Sequence, residues 1–410
     1  MSFKTVYLDW IQSNFAVTVS AITISVGLNV LFANSSVAQI NPDATLPNNS
    51  NVNLNGNSFN ITGGNQAGVN LFHSFKDFSV PTDSEAFFNN GTDIQNIISR
   101  VTGKSISNID GLIKANGSAN LFLINPNGIV FGNNARLDIG GSFLATSAES
   151  MKFSDGNEFS TKNPQESPLL TINVPLGLQF GTNPGLIRVK GDGQATGGLQ
   201  VKPEETLALV GGDINLEGAT LKTPGGRIEL GSVEGNGLVD LTFINKGFSL
   251  DYSGVNNFRD IQLSQQANAN ASGEGAGDIQ VQGKRVTLTD TSQIETSTLG
   301  TQEGGDLIVN ATELLKVKLQ SRLLADVYPQ ATGKGGNLTI ETGQLLVRDG
   351  GRISAITAGA GNSGNLNITA RENIQVIRKS ADSGVPTTLV VQADAQSTWN
   401  TGDFNIQTRQ

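Results

Sequence analysis

The 410-residue chain is long enough for one large domain or several smaller ones, and for a sizeable core. Charged residues make up 15%, hydrophobic residues 37%, and Gly numbers 49; this is too apolar and varied for a disordered chain, and no Gly-X-Y period points to collagen. One His and no Cys exclude zinc sites, thiol catalysis and disulfides, no cofactor is expected, and a net charge of −9 excludes the basic face of a nucleic-acid binder.

The first predicted element is an export signal over residues 1–38. Phe15 to Ala33 is an apolar run, yet six of its positions are Ser, Thr, Asn or Gly. That is too dilute for an anchor, which needs ~20 strongly apolar residues. Small residues at Ser36 and Ala38 give an A-x-A-like pattern, placing cleavage between Ala38 and Gln39. The positive region before the run is weak, with Lys4 offset by Asp9. A chain without Cys suits passage through an oxidising periplasm.

Beyond residue 38 no amphipathic helix longer than three turns is legible. Short alternating runs punctuated by Gly and Asn predict an all-β fold. Leu71-Phe72-His73-Ser74-Phe75 is the first such run, and it holds the only histidine. With no base partner or orienting group signalled, His73 reads as a packed or capped side chain. Leu121–Ile124 and Ile129–Phe131 are apolar strands joined by Asn125-Pro126-Asn127-Gly128. Asn at the first place, Pro at the second and Gly at the fourth is the preference of a type I turn.

A repeat marks the C-terminal third. The unit Gly-Asp/Asn followed by alternating apolar residues starts at Gly277, Gly305, Gly336, Gly364 and Gly402, at spacings of 28, 31, 28 and 38. A shift of 59 carries Val286, Leu288, Asp290 and Ile294 onto Leu345, Val347, Asp349 and Ile353, so each unit holds about three strands. Earlier copies start at Gly212 and Gly226. A propeller blade is typically ~40–45 residues, longer than most of these units, and a coil accepts insertions more readily than a closed ring. The prediction is a parallel β-helix with apolar columns inside and Thr, Asn, Gln and Ser facing water. Asp213, Asp278, Asp306, Asn337, Asn365 and Asp403 should then stand at equivalent turn positions, each capping its own backbone rather than forming a calcium ladder.

Several stretches together resemble a known family. They are Leu71–Phe75 with Phe78, Val80 and Pro81; Phe87-Phe88-Asn89; Ile97–Gly103; Ser107, Ile109, Asp110 and Gly111; Asn116–Thr146; and Pro175–Gly181. In this order they resemble the N-terminal secretion domain of filamentous haemagglutinin-like proteins, the exported partners of two-partner secretion. The resemblance implies a right-handed parallel β-helix (solenoid) with an N-terminal cap. It also implies a secretion domain over 39–270, a repeat shaft over 271–410, and export through an outer-membrane β-barrel transporter. The product would be secreted, or held at the cell surface, by a Gram-negative bacterium. Asn125, Pro126 and Asn127 align with the Asn-Pro-Asn-Leu motif associated with secretion, and Gly128 stands where that motif has Leu. The turn is expected to survive this departure, whereas a contact made by the Leu side chain would be missing.

Three function classes follow. The leading one is a non-enzymatic adhesin or surface scaffold whose receptor is a host or neighbouring cell surface or glycan. The second is the delivery end of a contact-dependent toxin or cytolysin. The third is a polysaccharide-active enzyme, which would need two placed carboxylates, whereas Asp and Glu here are scattered and mostly single. Most of the aromatics are core-type Phe, and Trp10 and Trp399 define no sugar platform. The last unit stops at Gln410 without a capping segment. The shaft therefore reads either as truncated or as offering Phe404 and Ile406 for end-to-end pairing.

Overall fold

The structure, a computed structural model, describes residues 39–164, 171–194, 198–245, 247–377, 384–394 and 400–408. The export-signal segment, Ala38 of the cleavage pair, and both Trp residues lie outside them. Gln39 is described and exposed.

The described residues form no α-helix; they build a parallel β-helix of three faces. Two faces merge because strands such as Asp278–Leu288, Leu307–Val317 and Leu338–Arg348 run round a corner. A shift in register between Gly283 and Arg285, and between Ala311 and Leu314, marks that corner. The third face is a sheet of short strands, including Gln293–Glu295, Arg322–Leu324 and Arg352–Thr357. Register places Ile279, Leu307, Leu338 and Leu366 in one column, and Val286, Leu315 and Leu345 in a second. Ile294, Leu323 and Ile353 form the third. All are fully buried. The alternation predicted for the repeats is therefore the alternation between this core and the outside.

The repeat's glycines are fixed by close approach between coils. A Cβ on Gly277 would lie 1.7 Å from the Gly226 carbonyl oxygen, and one on Gly336 equally close to that of Gly305. The acidic or amide residue that follows does not cap its own backbone, as expected, but the next coil's. Asp278 Oδ1 accepts the Asp306 N–H at 2.9 Å, Asp306 Oδ1 that of Asn337 at 2.8 Å, and Asn337 Oδ1 that of Asn365 at 3.0 Å. Asn365 Oδ1 accepts the Asp403 N–H at 2.8 Å. Asp213 departs from the expected column. Its strand, Ile214–Glu217, pairs with Ile261–Ser264 and so belongs to the second face, while Arg227–Ser232 occupies the column of Asp278.

The N-terminal end is closed by antiparallel pairing. Asn41–Pro42 and Asn65–Ala67 both run against Asn70–Asp77, and Ser50–Asn55 forms a hairpin with Ser58–Gly63. A second layer lies outside the coils. Strands Ser150–Phe153, Glu158–Ser160, Pro175–Phe180, Gly237–Phe243 and Phe248–Asp251 form an antiparallel sheet. It covers outward side chains of the β-helix such as Phe72, Ile98, Phe122, Leu144 and Val210. Here outward positions carry apolar residues instead of Thr, Asn, Gln or Ser, and a second sheet takes the place of solvent. Phe72 meets Phe159 edge-on at 5.1 Å and Phe122 meets Phe248 at 5.6 Å.

That second interface also encloses a carboxylate. Glu229 is fully buried, accepts Arg227 Nη1 at 3.1 Å and leaves its second oxygen without a partner among the described residues. Burial raises its pKa to about 8 against the pull of Arg227; Asp278 nearby adds to the rise. The folded chain therefore holds this proton more tightly than the unfolded chain. The resulting stability is fully present below about pH 4.5 and is lost as pH climbs through about 8. Glu229→Gln is expected to melt close to the parent at pH 5 and several degrees above it at pH 8.5. Melting curves at the two pH values check this, and an equal difference at both would mean that ionisation is not the cause.

Candidate functional site

The turn singled out in the sequence closes with the Gly128 N–H donating to the Asn125 carbonyl at 3.0 Å. Asn125 is fully buried. Its Nδ2 donates to the Ser105 carbonyl at 3.0 Å and to Ser107 Oγ at 2.9 Å, both on the preceding coil. Its Oδ1 accepts the Asn127 backbone N–H at 3.0 Å, the side-chain-to-backbone bond that makes Asn a turn former. Asn127 Nδ2 donates to that same Oδ1 at 2.9 Å and to the Gly103 carbonyl at 2.9 Å. On the other side, the backbone meets later segments. Asn125 N–H donates to the Thr146 carbonyl, and Gly185 N–H donates to the Pro126 carbonyl. The four residues thus join three successive passes of the chain, and each amide side chain has its bonds inside the protein.

At Gly128 the backbone itself requires the residue that stands where the motif has Leu. Its φ is +111°, a backbone state open to Gly and strained for any other residue. A Cβ there would lie 2.6 Å from the Leu186 carbonyl oxygen. The turn stays closed with Gly in place of Leu, and a Leu here would strain it.

A second group of bonds surrounds a buried charge, Arg100, inside the Ile97–Gly103 stretch. Arg100, 1% exposed, is the largest fully buried side chain among the described residues. Its Nε donates to Ser74 Oγ at 2.9 Å and its Nη2 to Thr45 Oγ1 at 3.0 Å and the Pro164 carbonyl at 3.3 Å. Nη1 donates to the Ser160 carbonyl, and the guanidinium lies 4.2 Å over the Phe159 ring. Burial lowers its pKa to about 10, and Asp43 acts against that, so it stays charged at neutral pH. Asp43 in turn accepts Thr45 Oγ1 at 2.6 Å and Ser74 Oγ at 2.8 Å. Arg100 thereby ties the N-terminal cap, an early coil and the covering sheet to one another. The signal available in the sequence was an Arg between the apolar run Ile97-Ile98 and Val101.

His73 lies 2.9 Å from Ser50 Oγ through Nδ1 and stacks near Phe75 and Phe88. Burial lowers its pKa to about 3, so the ring is neutral at physiological pH. This is a packed and capped side chain. Asp110 accepts the Asn134 N–H at 2.9 Å and holds the Thr82 hydroxyl, again bonds between coils. Among the described residues no group of three or more His, Cys, Asp or Glu side chains is placed to hold a metal.

The family profile described as TPS secretion domain matches residues 38–281. Among solved structures, the HMW1 secretion domain from Haemophilus influenzae is similar at 17% identity and a TM-score of 0.48, covering 88% of this chain and 98% of its own. The filamentous hemagglutinin secretion domain is similar at 15% identity and a TM-score of 0.43, covering 89% of this chain and 99% of its own. No curated protein sequence matches the chain.

Proposed function

The chain belongs to the TPS (two-partner secretion) secretion-domain family, and from that premise we propose the path and purpose of this exoprotein. An export signal ending at Ala38 delivers the chain to the periplasm. An outer-membrane β-barrel transporter recognises the 39–270 module and passes the chain outward. The 271–410 shaft follows, and the product acts as an adhesin or surface scaffold, not as an enzyme. A β-helix suits such a route. Each coil that forms outside buries its apolar columns and adds ladder hydrogen bonds to the coil before it, which opposes backsliding.

One observation carries the reading of the secretion motif: the amide side chains of Asn125 and Asn127 are spent on the protein's own coils. The motif then acts by making the turn fold, and a transporter contact through these amides is the lesser reading. Replacing both by Ala keeps Pro126 but removes these bonds, each worth ~1 kcal/mol, and leaves carbonyls such as Gly103 and Ser105 short of donors. Co-expression with a matching barrel transporter, followed by blotting of medium and periplasm, is expected to show reduced secretion and chain degraded in the periplasm. The purified variant should also melt lower. Normal melting with lost secretion would instead assign the amides to a transporter contact, and unchanged secretion would remove the motif from export altogether.

A further inference from the structure

The third face of the β-helix carries a groove of about 430 Å³ near its C-terminal end. It is bordered by Arg322, Asp326, Tyr328, Arg352, Gln392 and Asp394, which come from three successive coils. No local motif unites them.

One wall is apolar. Tyr328 is 45% exposed, and Leu324, Pro329 and Ala358 line the groove with it. A half-exposed aromatic ring beside a cavity gives a ligand a flat apolar surface to pack on. The Tyr328 ring is also held in place, its hydroxyl donating to Glu295 Oε1 at 3.2 Å.

The rest of the lining is largely polar, and its groups are preset. Asp326 accepts the Ile356 N–H at 2.8 Å and Ser354 Oγ at 3.0 Å, with Arg352 Nη2 at 3.5 Å. Arg322 pairs in register with Arg352 on the adjacent strand, which brings two guanidinium groups to neighbouring coils. Gln392 Nε2 donates to Asp394 Oδ1 at 3.3 Å on the following strand. Planar guanidinium, amide and carboxylate groups thus share one groove with a fixed aromatic ring.

We propose that this groove binds a neutral saccharide unit of a larger glycan. A pyranose has an apolar C–H face that fits against an aromatic ring and a rim of hydroxyls, each both donor and acceptor. Arg and Gln supply the donors here, and the carboxylates supply the acceptors. A few placed polar groups beside an apolar wall are the general form of a small-ligand site. Charge selects the class of sugar. Among the lining residues two carboxylates (Asp326 and Asp394) stand against two guanidinium groups (Arg322 and Arg352), so a uronate or sulfated sugar finds no net positive charge to pair with.

This assignment deepens the surface role proposed above and rests on that reading for its setting. The two fail separately, because binding is measured on purified chain and export by blotting. The experiment is isothermal titration of the purified chain with neutral hexasaccharides of glucose, mannose and galactose, and with a galacturonate hexamer as the charged probe. At least one neutral sugar should bind. Tyr328→Ala should weaken it by about tenfold, the size of one lost aromatic contact, with an unchanged melting temperature. Tyr328→Phe, which keeps the ring, should stay within about threefold of the parent. Silence from every neutral sugar would overturn the proposal. So would binding that ignores Tyr328→Ala, or a preference for the galacturonate.

Discussion

Gly128→Leu is expected to destabilise the chain by about 3 kcal/mol or more and to block its secretion. Two costs add. At φ +111° a residue with a Cβ is held in a backbone region essentially reserved for Gly, which costs of order 1–3 kcal/mol. The new Cβ would also lie 2.6 Å from the Leu186 carbonyl oxygen. To relieve that contact, the Ile129 N–H bond to the same carbonyl must lengthen, and the Gly185 N–H bond to the Pro126 carbonyl shifts with it. Each such bond contributes ~1 kcal/mol. Gly128→Ala is expected to show most of the loss, because strain and clash begin at the Cβ and not at the end of the side chain. Thermal unfolding of both variants measures it. If Leu melted at the parent temperature, or if Ala were harmless and Leu harmful, the backbone would not be the seat of the constraint. This outcome separates the present turn from an Asn-Pro-Asn-Leu motif: the shared first three residues do not make the fourth exchangeable.

The parts of the fold legible in the sequence are those that obey a repeating rule. In the repeats each coil presents apolar residues at the same spacing to the same column, so Val286 and Leu345, and likewise Ile294 and Ile353, are readable as equivalents from the sequence. The covering sheet follows no such period. Its strands at Ser150–Phe153 and Gly237–Phe243 belong to insertions between coils. The trace it left was indirect: Leu121-Phe122-Leu123-Ile124 and Leu207-Ala208-Leu209-Val210 are unbroken apolar runs, and both are buried on both faces. Such runs are the mark of a strand with two packed sides. Local pattern also could not say where a polar side chain bonds. Asp278 and Asn337 look like residues capping their own turns, yet the stacking of coils brings the next N–H closer. Arg100 and Tyr328 depend on partners 26 to 64 and 33 residues away in sequence, respectively, and no short motif encodes them.

Leu338→Asp and Thr339→Asp, neighbours in one strand, are expected to differ by several kcal/mol. Leu338 is fully buried between Leu307 and Leu366 in a column that runs through the shaft. A carboxylate there would have apolar neighbours above and below. It would either ionise without a partner or fold only in its protonated form, and the lost Leu packing adds to either penalty. About 4 kcal/mol is the expected loss, near the top of the range for single substitutions. Thr339 points the other way, half-buried between Ile308 and Asn367 on the outer face. An Asp there stays in water and gives up only β-propensity, well under about 1 kcal/mol. Since side chains alternate faces along a strand, a register wrong by one residue would exchange the two results. Chemical denaturation at neutral pH provides the comparison, and repeating it near pH 4 adds a second check. The Leu338→Asp loss should shrink as the buried carboxyl takes up its proton, whereas the Thr339→Asp difference should barely move.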